Sequence, residues 1–301
     1  MSFTAAYNRL GEEEIKKRVA AGYRRLRCCD ICPRRCAVNR LKGELGACRG
    51  GREPVVSSFG PHFGEEAPLV GHNGSGTIFF AYCTLNCVFC QNYELSHLGM
   101  GEAVSVAELA RVMLTLEKLG CHNINLVSPT HFVPQILAAL VKAMGAGLNL
   151  PIVYNTGGYE NPETLKLLDG VVDIYMPDFK YTDPGAAGKY SGAGDYPEVV
   201  KEALKEMQRQ VGDLVLDKRG IANRGLLVRH LVLPGNIANT EEVADFLARE
   251  VSPNCFVNIM SQYYPAHRAR EFPPLDRRII PAEYRDAVNT AKKKGLRVYR
   301  D

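Results

Sequence analysis

The chain of 301 residues is long enough for one large domain, or for a large domain and a small one. Its 37 Lys and Arg residues nearly balance its 33 Asp and Glu residues, and the net charge of +4 predicts no basic surface for nucleic acid. The apolar run Ile136–Val141 is far shorter than the roughly 20 residues of a membrane span, and the N-terminal sequence lacks an apolar signal core. We therefore expect a cytoplasmic protein with neither membrane nor nucleic acid as a partner.

The first third of the chain predicts one helix followed by irregular structure. Ile15, Val19, Tyr23 and Leu26 recur at helical spacing. The segment from Cys28 to Arg52 is rich in Cys, Arg and Gly and poor in large apolar residues, so it needs a metal or another domain to hold its shape. Residues 53–75 are rich in Gly, Pro and His, and we interpret them as a linking loop.

From Thr77 onward, predicted strands and helices alternate. The strands are Thr77–Tyr82, Ile124–Val127, Pro151–Tyr154, Val171–Met176, Leu226–Leu233, Phe256–Met260 and the short Val298–Tyr299. The helices are Ser105–Gly120, Pro134–Met144, Pro162–Leu168, Tyr196–Gln210, Thr240–Glu250 and Pro281–Lys294. This alternation predicts an α/β fold with a parallel sheet, a partial (β/α)6 barrel of the TIM type with function at the carboxyl ends of its strands. We divide the chain into a metal-binding segment, residues 1–70, and a barrel, residues 71–301.

Ten cysteines are unusual for a chain without a signal peptide, since structural disulfides are rare in reducing compartments. Four of them, Cys29, Cys32, Cys36 and Cys48, have the spacing C-x2-C-x3-C-x11-C. Four thiolates suffice for a structural zinc ion or for a second iron–sulfur cluster. Nearby arginines would offset the negative charge of such a site or form a solvated basic face.

A second cysteine motif follows the first predicted barrel strand. Cys83, Cys87 and Cys90 have the spacing C-x3-C-x2-C. Thiolates select zinc, copper(I) or iron–sulfur clusters. A closed structural zinc site requires four ligands, whereas three thiolates on a four-iron cluster leave one iron open to a substrate or cofactor. A three-Cys zinc knuckle and buried free thiols are the alternatives.

This motif, with the aromatic Phe89 before its last Cys, resembles that of the radical S-adenosylmethionine (SAM) superfamily. The resemblance implies that Cys83, Cys87 and Cys90 hold a [4Fe–4S] cluster and that SAM binds the fourth iron. It also implies that reduction cleaves SAM to methionine and a 5′-deoxyadenosyl radical, and that Phe89 contacts the adenine. An open cluster of this kind is expected to be sensitive to oxygen, which suits an anaerobic enzyme.

Polar residues follow the next strands, where the resemblance implies a SAM pocket. Ser128 and Thr130 stand where the superfamily usually has Gly-Gly-Glu, so their hydroxyls would replace its contacts with the SAM amino group. On the fifth predicted strand, Arg229 resembles an arginine that approaches SAM in the family, although it could instead bridge carboxylates. At the end of the sixth, Gln262 and Tyr263 could line a substrate pocket, or Tyr263 could cap the core.

Two further strand ends resemble pyruvate formate-lyase activating enzyme. They are Asn155-Thr156-Gly157-Gly158 and Met176-Pro177-Asp178-Phe179-Lys180. The resemblance implies that Asn155, Thr156 and Asp178 help to bind SAM, with Lys180 near the substrate and a monovalent cation beside the SAM carboxylate. Asn155 replaces an Asp of the family pattern, which weakens the charge at the cation site. The alternative for Asp178 and Lys180 is a surface ion pair.

The resemblance covers nearly the whole chain and points to the uncharacterised branch of proteins like pyruvate formate-lyase activating enzyme. It implies hydrogen abstraction, with the glycine of a partner glycyl radical enzyme or another protein residue as target and a flavodoxin or ferredoxin-type electron donor. Radical chemistry on a small molecule is one alternative. An iron–sulfur electron carrier or redox sensor that never turns SAM over is another.

Overall fold

A computed structural model describes residues 3–299. Within that range the strands are β1 (Val55–His62), β2 (Ser75–Phe80), β3 (Glu102–Ala103), β4 (Ile124–Val127), β5 (Ile152–Thr156), β6 (Ile174–Pro177), β7 (Val215–Leu216), β8 (Ala222–Leu231), β9 (Phe256–Met260) and β10 (Arg297–Tyr299). The helices of the same range are α1 (Ala6–Leu10), α2 (Glu12–Arg25), α3 (Ala67–Val70), α4 (Tyr93–Ser96), α5 (Val106–Lys118), α6 (Val133–Gly145), α7 (Pro162–Leu165), α8 (Pro184–Ser191), α9 (Tyr196–Val211), α10 (Thr240–Phe246) and α11 (Pro281–Lys293).

The strands form one mostly parallel sheet. Strands β2, β4, β5, β6, β8, β9 and β10 are neighbours in that order, each parallel to the next. At one end of the sheet, β1 pairs antiparallel with β2 and β3. The predicted partial TIM-type barrel is confirmed. Each of its predicted strands and helices also has a counterpart near its predicted bounds.

Successive residues of the parallel strands face two different layers. On β5, Ile152 and Tyr154 pack outward into the main core beneath the helices. Val153 between them packs inward with Ile174, Met176, Leu227 and Phe256 of the neighbouring strands. Alternation of this kind is what a strand buried on both faces requires. The inner layer is the lumen of the barrel, and the polar residues at the strand ends lie on the same face.

The interpretation of residues 53–75 as a linking loop is wrong. Val55–His62 is strand β1, and the short helix α3 follows it. Leu69 of α3 is fully buried in the inner layer with the barrel residues Val153 and Leu227, so this segment fills the lumen from one end. The strand was hidden by Gly60, since glycine weakens a strand interior, and by Pro61, since proline in sheets is confined to edge strands, strand starts and bulges.

The N-terminal region packs closely on the barrel. Helix α2 lies against α6, and a Cβ at Gly22 would come within 3.0 Å of the Pro134 side chain. Beyond α2, the Asp30 carbonyl accepts a hydrogen bond from Asn161 beside α7. The division of the chain at residue 70 stays a prediction. Of the helices between residues 3 and 299, none combines the length and the apolar character that a bilayer crossing demands.

Candidate active site

The carboxyl ends of the parallel strands open into one cavity. Most of the predicted site residues line it: Cys83, Cys87, Phe89 and Cys90 of the loop after β2, with Ser128, Asn155, Thr156, Asp178, Lys180, Arg229 and Gln262 from the ends of β4, β5, β6, β8 and β9. Because the strands are parallel, residues far apart in the sequence meet at this edge of the sheet. Thr130 and Tyr263 are not among the described residues that line the cavity.

Each thiol of the Cys83–Cys90 loop has a hydrogen-bonding neighbour. The Leu85 N–H donates to Cys83 Sγ at 3.4 Å, and the Ser191 and Ser96 hydroxyls lie 2.9 Å and 3.1 Å from Cys87 Sγ and Cys90 Sγ. Hydrogen bonds to sulfur of this kind stabilise ligating thiolates. Burial raises the pKa of the Cys83 thiol to about 12 and that of Cys87 to about 11. The Cys83 and Cys87 thiols are therefore protonated at neutral pH until a metal binds and displaces the protons.

Three charged side chains form a connected group across β6 and β8. Asp178 Oδ1 accepts from Arg229 Nε at 2.9 Å, and its Oδ2 accepts from Lys180 Nζ at 2.6 Å. The Arg229 fork also donates to Asn155 Oδ1 at 2.8 Å. Burial alone would raise the pKa of Asp178, but Arg229 and Lys180 hold it below its ordinary value. The surface-pair interpretation of Asp178 and Lys180 is wrong, since both side chains are only 16% exposed.

Two carboxylates at this site were not found in the sequence. Glu65 and Glu66 precede α3 and lie 3.8 Å and 4.0 Å from the Arg229 guanidinium, so Arg229 also bridges carboxylates as the alternative interpretation held. Burial raises the pKa of Glu65 to about 7. Glu66 Oε1 accepts from Asn258 Nδ2 at 3.1 Å, whereas its buried Oε2 has no partner within residues 3–299. The adjacent Glu-Glu pair was the only signal in the sequence.

Thr130 does not line the cavity but donates a hydrogen bond to a buried carboxyl group, that of Glu160. Its hydroxyl and that of Thr156 donate to Glu160 Oε1, and the Tyr154 hydroxyl donates to Oε2 at 3.1 Å. Glu160 is fully buried, and burial raises its pKa to about 7. The group lies behind the end of β5. Thr130 and Glu160 therefore position Thr156, which does line the cavity.

Phe89 and Tyr263 have different roles from each other. Phe89 lines the cavity and contacts Tyr181 and Tyr263 edge to face, with ring centroids 6.3 Å and 6.1 Å away. Tyr263 is buried, and its hydroxyl donates to the Leu275 carbonyl. The prediction that Tyr263 touches substrate is thus replaced by its alternative, a residue of the core. Its ring supports Phe89 from behind.

The ends of β5 and β6 are tied together by a glycine and a tyrosine. The Tyr196 hydroxyl lies 2.8 Å from the Asp178 carbonyl oxygen and accepts the Lys180 N–H at 3.0 Å. Gly158 has φ +80°, and a Cβ there would come within 2.4 Å of the same Asp178 carbonyl. Only glycine fits this contact, which fixes the backbone of Asp178 and Lys180.

Gly158→Ala should therefore destabilise the protein more than an equally strained glycine elsewhere. The matched control is Gly147→Ala, where φ is +98° and nothing lies within 4 Å. The left-handed backbone costs about 1–2 kcal/mol in both variants, and the clash adds about 1–3 kcal/mol at Gly158 alone. Urea denaturation measures both free energies of unfolding. Equal losses of stability in the two variants would show that the ends of β5 and β6 move apart to accommodate the Cβ without an energetic penalty.

The four N-terminal cysteines of the predicted second site lie in one short segment beside this cavity. Cys29, Cys32 and Cys48 are buried and Cys36 is partly exposed. Arg34 joins the segment to the barrel, because it donates to the Thr84 carbonyl at 2.9 Å. In the part of the chain that the structure describes, no three His, Cys, Asp or Glu side chains are grouped closely enough to hold a single metal ion. The ligands of an iron–sulfur cluster lie further apart, because each binds a different iron.

Comparisons with known proteins identify the superfamily of the chain. The sequence profile of the Radical SAM superfamily matches residues 77–247, which include all three cysteines of the barrel loop. The uncharacterized protein MJ0674 of Methanocaldococcus jannaschii is 32% identical over 278 residues, 89% of this chain and 75% of the relative. The chain belongs to the radical SAM superfamily.

The fold is also similar to a solved structure. A radical SAM methyltransferase from Sphaerobacter thermophilus superposes with a TM-score of 0.52 at 16% identity, over 74% of this chain and 65% of that chain. The match thus spans slightly less than two thirds of the methyltransferase, and at this identity it supports the fold alone.

The superfamily implies a [4Fe–4S] cluster and SAM, and the residues present fit both groups. Three soft ligands lie on one loop, and their sulfurs each have a hydrogen-bonding neighbour. The cavity they share holds cationic donors, Lys180 and Arg229, and oxygen acceptors, Asp178 and Asn155. A zwitterionic amino-acid group such as that of SAM needs donors and acceptors side by side.

Proposed function

We propose that this radical SAM enzyme holds its cluster on Cys83, Cys87 and Cys90 and binds SAM in the cavity above the strand ends. The observation that carries the proposal is that the three thiols and the Asn155–Asp178–Arg229 group line one cavity. When bound and reduced, the cluster supplies the electron for cleavage of SAM and so for hydrogen abstraction from a substrate. The protein provides binding, orientation and exclusion of water.

The side chains around the cavity divide the work of binding SAM. The buried cations Lys180 and Arg229 can accept a carboxylate, while Asn155, Ser128 and Thr156 offer oxygen atoms to an amino group. Phe89, packed between two tyrosines, presents a fixed apolar surface for the adenine. A monovalent cation beside Asp178 remains part of the proposal, although Lys180 and Arg229 already engage both carboxylate oxygens.

For the substrate, we propose the glycine of a partner glycyl radical enzyme, with a flavodoxin or ferredoxin-type electron donor. The support is the resemblance of the Asn155–Gly158 and Met176–Lys180 segments to pyruvate formate-lyase activating enzyme. Gln91 and Gln262 would meet the substrate at the mouth of the cavity, where Gln91 Nε2 donates to the Gln262 carbonyl at 3.0 Å. Radical chemistry on a small molecule is the competing proposal.

The first test is formation of 5′-deoxyadenosine. Protein reconstituted anaerobically with iron and sulfide is given SAM and dithionite, and the product is measured by chromatography. We expect product from the wild type and from Cys121→Ala, a buried cysteine on the far side of the fold, and none from the Cys83→Ala, Cys87→Ala, Cys90→Ala variant. An iron-loaded wild type that makes no product and whose spectrum SAM leaves unchanged would favour the electron carrier.

The same assay tests the substrate. A peptide carrying α-deuterated glycine should transfer deuterium to 5′-deoxyadenosine if a glycine is the target. Product that stays unlabelled with such peptides, but gains label from a deuterated small molecule, would overturn the glycyl proposal and leave SAM cleavage intact.

A further inference from the structure

The N-terminal cysteine segment lacks the means to hold its own shape. Its buried apolar cluster consists of Leu26, Cys29 and Ile31. Between Cys29 and β1 the regular structure is a single 3-10 turn, Arg40–Lys42. Arg35, Ala37 and Arg49 have φ of 42°, 56° and 54°, a left-handed backbone that is unfavourable for residues other than glycine. A further interaction must stabilise this conformation.

Three of the four sulfurs of the segment face hydrogen-bond donors. Ala47 N–H donates to Cys36 Sγ at 3.3 Å, and Gly50 N–H donates to Cys48 Sγ at 3.4 Å. Arg40 Nη1 lies 3.9 Å from Cys29 Sγ. In the barrel loop, Leu85 N–H donates to Cys83 Sγ at 3.4 Å in the same way. Donors directed at three neighbouring sulfurs suit thiolates that ligate a metal centre.

Arg40 supplies the second and independent observation. Its side chain is 1% exposed, and its hydrogen bonds within residues 3–299 go to the carbonyls of Gly51 and His131 and to the Cys29 sulfur, with no carboxylate among them. A buried guanidinium without a counter-charge is strongly unfavourable. A metal centre with four thiolate ligands carries net negative charge and would provide that counter-charge.

The segment also shares a cavity with the barrel loop. Cys48 and Cys83 both line the same cleft, together with Arg34, Arg49 and His97. Arg49 Nη1 reaches the His97 carbonyl across it at 3.3 Å, and Arg34 Nη1 donates to the Gly192 carbonyl at 2.6 Å. A centre on the N-terminal cysteines would therefore lie next to the proposed cluster on Cys83, Cys87 and Cys90.

We infer that Cys29, Cys32, Cys36 and Cys48 hold an iron–sulfur cluster of their own, with Arg40 as its buried counter-ion and positioning residue. All four ligands come from the chain, so this cluster has no iron open to SAM. We choose a cluster over zinc because a chain that loads one cluster on the barrel meets the same supply of iron and sulfide at the neighbouring site. Zinc is the outcome that would overturn the choice.

The test counts metals in the barrel variant that lacks Cys83, Cys87 and Cys90. After anaerobic reconstitution we expect this variant to keep iron and acid-labile sulfide, about four of each per chain for a four-iron cluster, with an electron paramagnetic resonance signal that SAM does not change. Substituting Cys29, Cys32, Cys36 and Cys48 by Ala in that background should remove both. The exposed neighbour Cys28→Ser should keep both. One zinc per chain, or no metal at all in a folded barrel variant, would refute the inference.

A second measurement tests Arg40 and the distance between the sites. Loss of the positive charge in Arg40→Met should lower the midpoint potential of the N-terminal cluster, because the reduced cluster is the more negative form; the exposed Arg35→Met should leave it unchanged. Signals of the two reduced clusters in the wild type should be broadened by spin coupling, a readout that rests on the proposed function. An unchanged potential in Arg40→Met would refute the counter-ion role. Absence of broadening with both clusters present would refute only their proximity.

Discussion

Arg229→Met should be severely destabilising, by about 3–5 kcal/mol in the free energy of unfolding. Arg229 is 17% exposed and contacts Asp178 directly, with Glu65 and Glu66 within 4.0 Å. Without the guanidinium, three carboxyl groups would share the lumen with Lys180 as the only nearby cation among the described residues. Some of them must then be protonated or leave their positions, and SAM binding should be lost with them.

The pH dependence separates this effect from a simple loss of packing. Without Arg229, the folded-state pKa of Asp178 should rise from its lowered value, and that of Glu65, already raised to about 7, should rise further. Groups with a raised folded pKa contribute stability at low pH and lose it as pH rises through that pKa. The loss in Arg229→Met should therefore be larger at pH 8 than at pH 5.5, as measured by urea denaturation.

Two controls make the result interpretable. Arg229→Lys keeps the charge and should recover much of the stability, although it loses the fork that joins Asp178 to Asn155. Arg219→Met removes an exposed arginine that pairs with Asp217 at the surface, and should cost less than about 1 kcal/mol. A small and pH-independent loss in Arg229→Met would contradict the buried charge network.

The sequence predicted the site best along the regular strands, where the pattern of a buried parallel strand continues up to the strand end. Parallel strands bring their carboxyl ends to one edge of a sheet, so Asn155, Asp178 and Arg229 could be grouped from their positions alone. The register agrees, since Asp178, the residue after β6, lies directly opposite Arg229 of β8. The cysteine spacing after β2 added the soft ligands at the same edge.

Predictions became unreliable just past the strand ends. Thr130 begins a 3-10 turn, Thr130–Phe132, in which strand alternation no longer decides the direction of a side chain. Gln262 and Tyr263 are adjacent beyond β9, and one lines the cavity while the other is buried against Phe89. Successive side chains of an extended segment point to opposite faces, so Gln262 and Tyr263 should not both have been expected to line the same cavity.

Contacts between distant segments could not be predicted from local patterns. Glu65 and Glu66 reach Arg229 because α3 enters the lumen. Besides the Glu pair itself, the sequence marks that path by an apolar residue, Leu69, in a segment rich in Gly and Pro. Glu160 likewise follows a predicted strand end but lies outside the Asn155–Gly158 motif. Its partner Tyr154 lies on β5, whereas its partner Thr130 lies in the turn after β4. Long-range geometry sets both arrangements.

The second large effect is expected at Glu160. Whether its carboxyl group stabilises the fold more at low or at high pH depends on its protonation state in the folded protein. Burial raises the pKa of Glu160 from 4.5 to about 7. The folded protein therefore binds a proton at Glu160 that the unfolded chain releases between these two values. The stability contributed by this proton is fully present below pH 4.5 and is lost as pH rises through 7.

Glu160→Gln removes that titration from the folded state. The free energy of unfolding of the wild type minus that of the variant should fall by about 3 kcal/mol between pH 4.5 and 7.5. Glu65, with a pKa also raised to about 7, and Asp173, with a pKa raised to about 6, are present in both proteins and largely cancel in the difference. Urea denaturation at pH 4.5, 5.5, 6.5 and 7.5 measures the difference.

The matched control is Glu163→Gln, three residues away on the exposed side of α7, where the side chain is 64% exposed and the substitution should change the free energy of unfolding by less than about 0.5 kcal/mol. A rising difference at Glu160 would mean that hydrogen bonds from the Thr130, Thr156 and Tyr154 hydroxyls stabilise the carboxylate more than burial destabilises it. In that case Glu160 would be ionised behind the cavity, and its negative charge would add to that of the three lumen carboxylates near Arg229. A falling difference would mean that Glu160 is neutral at acidic pH. It would then support Thr156 by hydrogen bonding and add no negative charge to the site.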